Sequence, residues 1–169
     1  MLKHGFDMQQ VFLSAPGDLA REREMCRSAI SAVNESEAMP AKILLVTVGL
    51  ASDGHIVDYR SAVAENVRAS AYFIQIFEDD WGPKNLFRKV FHLAIECRDD
   101  EAQPMREVAV FLKAAPRESD PEILAFRREL AERRDVRVFG FETAEGLKEQ
   151  VVTLGRDWVH AIRGASAAG

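Results

Sequence analysis

Apolar residues recur along this chain in two alternating rhythms, short unbroken runs and stripes spaced by three or four. The first run, Gln10-Val11-Phe12-Leu13, ends at Ser14-Ala15-Pro16-Gly17-Asp18 and reads as a strand closed by breakers. Leu19, Cys26, Ile30 and Val33 then share one helical face, with Asp18 or Ser14 expected as the N-cap. Ile43-Leu44-Leu45-Val46-Thr47-Val48 is apolar nearly throughout, as a strand buried on both faces of a parallel sheet must be. Beyond a loop holding Ser52-Asp53-Gly54, a second helix is predicted from about Asp58, with Tyr59, Val63 and Val67 inward.

The alternation continues. Tyr72-Phe73-Ile74-Gln75-Ile76-Phe77 reads as the third strand and stops at Glu78-Asp79-Asp80-Trp81-Gly82-Pro83. Phe87, Val90, Phe91 and Ala94 mark a third helix beginning near Asn85, and Val108-Ala109-Val110-Phe111-Leu112 a fourth strand. Pro121 opens a fourth helix with Ile123, Phe126 and Leu130 inward and Arg127 and Arg128 toward water. Val136-Arg137-Val138-Phe139 alternates like an edge strand, and Leu147, Val151, Leu154, Trp158 and Ile162 define the last helix. Five strands alternating with five helices predict a three-layer α/β domain with a doubly wound five-stranded parallel sheet. The flavodoxin-like order 2-1-3-4-5 is expected, with a ligand cleft at the switch point between strands one and three. One domain covers residues 1–163, and residues 164–169 form a small-residue tail expected to be mobile.

Composition narrows the function classes. With 169 residues, 47% of them hydrophobic and 29% charged, the chain is sized for one globular core. A net charge of −5 offers no basic field for a nucleic-acid backbone, so nucleic acid is not expected as a partner. No window is long and apolar enough to span a membrane, and the N-terminus lacks a signal-peptide run. Cys26 and Cys97 sit on helical faces without metal-ligand spacing, which fits a reducing, cytoplasmic location.

The candidate chemistry gathers at the strand ends. After strand one, a single glycine, Gly17, precedes Asp18, whose carboxylate would repel a phosphate; Ser14 and Asp18 suit a hydroxyl-rich group such as ribose. The acidic turn Glu78-Asp79-Asp80 invites comparison with a phosphoryl-accepting site. Strand one, however, does not end in carboxylates, and Phe141-Glu142-Thr143 lacks a lysine. His4, His55, His92 and His160 share no ligand spacing, so no metal site is expected. Trp81 beside the cleft can stack on a base or simply pack.

Val11-Phe12-Leu13-Ser14, followed by a turn and Asp18-Leu19-Ala20-Arg21-Glu22-Arg23, resembles the opening of a bacterial TIR-like family. The resemblance continues at Ser70-Ala71-Tyr72-Phe73-Ile74, at Trp81-Gly82 and at Val110-Phe111-Leu112-Lys113-Ala114-Ala115-Pro116, and so covers most of the chain. It implies a fold shared with TIR and nucleoside-deoxyribosyltransferase-like domains, in signalling or bacterial-defence proteins. Enzymatic relatives cleave the glycosidic bond of NAD with a glutamate early in the third helix. The matching positions here read Phe87-Arg88-Lys89-Val90-Phe91, base in place of acid. The next carboxylate, Glu96, comes about seven positions late, roughly 10 Å further along a helix.

The resemblance therefore leads to a catalytically degenerate TIR-like module. Such a module would bind a nucleotide-like ligand or a protein partner such as another TIR-like domain, with self-association as an open option. Ser14, Asp18, Asp53, Trp81 and Arg88 are its candidate ligand-binding residues. The alternative is an NAD(P)-type glycohydrolase or nucleoside-processing N-glycosidase using a non-standard carboxylate, Glu96 or Asp80. No cofactor is implied beyond NAD or a related nucleotide.

Overall fold

A computed structural model describes residues 2–3, 5–49, 63–82 and 85–168. Five parallel strands form the sheet: β1 Phe6–Ser14, β2 Ile43–Gly49, β3 Tyr72–Phe77, β4 Glu107–Lys113 and β5 Arg137–Phe141. Their order is β2-β1-β3-β4-β5, the flavodoxin-like arrangement. A two-residue strand, Leu2–Lys3, runs antiparallel to the start of β1. The helices are α1 Ala20–Val33, α2 Ala64–Ala69, α3 Leu86–Asp99, α4 Pro121–Glu132 and α5 Ala144–Ala168.

Strand alternation splits the core into two layers. From β3, which is buried throughout, Tyr72, Ile74 and Ile76 join α1 and α5 on one face, while Phe73 and Phe77 join α2, α3 and α4 on the other. Each fully buried side chain of this size is worth about 1.5–3 kcal/mol, so β3, like β1 and β4, anchors both layers. On the first face α1 and α5 approach closely: a Cβ at Gly155 would stand 3.1 Å from Val33 Cγ2. There the Trp158 ring also stacks on Tyr72 at 4.3 Å, and its indole N–H donates to the Glu107 carboxylate. Arg137 holds the same Glu107 at 3.3 Å and Asp157 at 3.0 Å, tying β5 to α5.

Several local expectations need correction. Strand one starts earlier than its apolar run, because Asp7 to Gln10 pair with Ile43 to Val46 through the backbone whatever their side chains. Val136 lies outside β5, although it is buried. Neither Asp18 nor Ser14 caps α1 by a side-chain bond; the chain enters through a 3₁₀ turn, Gly17–Leu19, in which Leu19 N–H donates to Pro16 O at 3.0 Å. Residues 164–168, expected as a tail, continue α5, since one glycine costs only about 1 kcal/mol and the alanines around it favour helix. Of the second helix, Asp58 and Tyr59 fall outside the described residues, while Val63 and Val67 are buried as expected. Cys26 and Cys97 are free and buried, and burial pushes both thiols up in pKa, away from reactive thiolate. Among the described residues, no helix is long and apolar enough to cross a membrane.

Candidate functional site

At the switch point, Ser14 of β1 and Gln75 of β3 are register partners on the face that carries Phe12 and Phe73. Both are fully buried. Gln75 Nε2 donates to Ile76 O at 2.9 Å, yet Gln75 Oε1 and Ser14 Oγ have no hydrogen-bond partner. A buried orphan of this kind costs about 1–3 kcal/mol, so the pair is a polar spot held inside an apolar layer. Ser14→Ala is accordingly expected to raise stability by about 1 kcal/mol, the reverse of an ordinary core change. A thermal melt no higher than the parent's would show that the hydroxyl has a partner after all. Gln75 escaped the sequence reading because it interrupts an apolar run only once.

Beside this spot the opening motif performs structural work. Glu22 is buried and pairs with Lys113 Nζ at 3.0 Å; Arg23 is buried and reaches Ala15 O at 3.4 Å. Lys113 also lies 3.6 Å from Glu78, and its hydrogen bond to Glu22 raises its pKa above the ordinary lysine value. Arg127 was expected in water. Instead its guanidinium folds over the strand ends, donating to Glu78 O at 2.6 Å and Lys113 O at 2.7 Å, and so satisfies carbonyls where the chain leaves β3 and β4.

Carboxylate oxygens of Asp18, Glu78 and Asp79 lie within 4.8 Å of one another. Burial first, then the charges of Asp18, Glu118 and Asp80, raise the Asp79 carboxyl above its usual value. Three oxygen donors suit a hard divalent cation, a grouping not anticipated from sequence spacing because it is assembled from two different strand ends. Lys113 and Arg127 already supply positive charge to the same corner.

The larger concavity lies one strand further on, between the start of α3 and α4. It encloses about 640 Å³, and its lining includes Asp79, Asp80, Trp81, Arg88, Phe126 and Glu129. Gly82, at φ +72°, turns the chain into α3; its N–H donates to Asp80 Oδ1 at 3.0 Å, and Phe87 N–H donates to Trp81 O at 3.0 Å. Trp81 is only 5% exposed, with Phe77 4.4 Å from its ring centre and Phe126 4.7 Å away edge-on. Its ring is thus committed to packing, not offered as a stacking platform. Arg88 stands over the Phe126 ring at 5.7 Å. Asp79, Asp80, Asp120, Glu122 and Glu129 set five carboxylates in the lining against that one guanidinium.

The proposed residues therefore separate. Trp81, Arg88 and Asp80 share the α3–α4 cleft. Ser14 lies inside the switch point, Asp18 belongs to the carboxylate trio, and Asp53 falls outside the described residues. Glu96 sits near the opposite end of α3, in a small hollow with Arg68, Cys97, Asp100 and Gln103. Eight residues of helix, about 12 Å, separate it from Arg88. Compared with known proteins, the chain matches no family model, and no curated protein matches its sequence.

Proposed function

We propose that this chain is a TIR-like recognition module without glycohydrolase activity, which takes a nucleoside-like ligand in the α3–α4 cleft and acts with a second TIR-like domain. One observation carries the reading: the first turn of α3 brings Arg88 and no carboxylate to the cleft. A carboxylate must lie within hydrogen-bond reach of the reacting sugar to assist departure of its base, and Glu96 lies about 12 Å further along α3 than Arg88. The lining, five carboxylates to one guanidinium, disfavours a pyrophosphate and favours a cationic or neutral nucleoside end. Nicotinamide riboside, a cationic N-glycoside rich in hydroxyls, is the matching probe. Calorimetric titration is expected to show it binding more tightly than NAD, with no free nicotinamide after prolonged incubation of either compound. Tighter binding of NAD would defeat the ligand assignment, and steady nicotinamide release would defeat the non-catalytic one.

The glycosidase alternative has its own support in Asp79 and Asp80. The raised pKa of Asp79 is the property of a general acid, and Asp80 lines the same cleft as Arg88. Nicotinamide release abolished in both Asp79→Asn and Asp80→Asn would establish that reading in place of the first.

A further inference from the structure

β2 is an outer strand, paired among the described residues with β1 alone. In a parallel sheet the N–H and C=O of one residue point to the same side, so alternate residues face away from the neighbour. At Leu45 both groups are taken by one side chain: Asn34 Nδ2 donates to Leu45 O at 2.8 Å, and Leu45 N–H donates to Asn34 Oδ1 at 2.9 Å. A carboxamide thus occupies the place that a further strand would take.

Asn34 begins a single π-helical turn, Asn34–Ala38, which follows α1. Such turns are rare and concentrate where function needs a local irregularity. Glu37 pins this one to α5, pairing with Arg156 at 3.0 Å and His160 at 3.3 Å. The strand it guards, Ile43–Gly49, contains no charged residue and no proline. Natural sheets protect their edges with those very devices, and here the guard is a side chain from another element.

We propose that Asn34 blocks the β2 edge against the β2 edge of a second copy of this chain, and that withdrawal of the π-turn opens the route to self-association. The occupant follows from the strand itself. Antiparallel pairing of two identical uncharged strands about a two-fold axis sets no like charges opposite one another, and every copy supplies the complementary edge. The inference rests on the reading of the chain as a module that acts with a second TIR-like domain.

Light scattering during size exclusion tests it with the whole chain, and amide exchange at Leu45 reports the edge directly. The parent is expected to be monomeric with a protected Leu45 amide. Asn34→Ala and Asn34→Ser, neither of which can span both groups, self-associate roughly tenfold more tightly, since two hydrogen bonds no longer compete. Their Leu45 amide stays protected in the dimer. Adding Val46→Lys returns each to monomer, because it sets lysines near each other across the new pair. Monomeric Asn34 variants with fast Leu45 exchange would overturn the proposal, as would oligomers indifferent to Val46→Lys. The riboside titration is a separate readout in the same variants: unchanged binding beside a monomeric Asn34→Ala sinks the edge guard and leaves the cleft reading intact.

Discussion

Replacing Lys113 with methionine is expected to cost about 2–4 kcal/mol and to lower the melting temperature by roughly 5–15 °C. The reason is the partner left behind. Glu22 has a side chain only 8% exposed, against 26% for Lys113, so the ammonium is what makes its burial tolerable. Removing one member of such a pair strands a charge, whereas replacing both with apolar residues is often neutral. Glu22→Leu combined with Lys113→Met should therefore recover most of the loss, as measured by urea denaturation. The pH dependence has a definite sign. Because the folded lysine pKa is raised, its stabilisation is fully present below the unfolded value near 10.4 and fades as pH climbs through the folded one. The methionine variant should lack that alkaline limb. A single variant as stable as the parent would mean that Glu22 reaches water.

Gly82→Ala is expected to destabilise by about 2–4 kcal/mol and to disturb the α3–α4 cleft. Two costs combine. A left-handed φ costs a non-glycine residue about 1–2 kcal/mol, and an added Cβ would meet Phe87 ring carbons at 2.7 and 2.9 Å. Gly5 separates the two, since it has φ +82° but no atom within 4 Å of a Cβ. Gly5→Ala should show the backbone cost alone, and the difference between the two melts measures the collision. Equal losses at both positions would remove Phe87 from the explanation.

The strands whose apolar runs are continuous were legible from sequence because burial on both faces leaves no polar period to misread. Val108 to Leu112 is the clear case, and Tyr72 to Phe77 is broken only at Gln75. Polar positions were harder to read. The first half of β1 mixes Phe6 and Met8 with Asp7, Gln9 and Gln10, gives no continuous apolar run, and shows as strand only through its backbone pairing to β2. Arg127 reads as a solvated arginine until the chain's topology brings the carbonyls of Glu78 and Lys113 beneath it. Glu22 and Arg23 stand out as a motif, but only the contacts of Glu22 with Lys113 on β4 and of Arg23 with Ala15 O show what each does. The cleft was expected between strands one and three, whereas a concavity of about 640 Å³ lies further along the sheet between the start of α3 and α4, where the Trp81 and Phe126 rings meet edge-on. Side-chain size sets that offset, and strand order alone does not reveal it.

Arg127 has a mechanical consequence. It grips the ends of two strands from α4, and the side chain of Lys113, one of the residues gripped, reaches past the rim of the sheet to α1 in the opposite layer. Three polar links thus form a crank over the top of the sheet. The two helices are thereby joined around the rim by polar contacts alone, outside the packed layers that separate them.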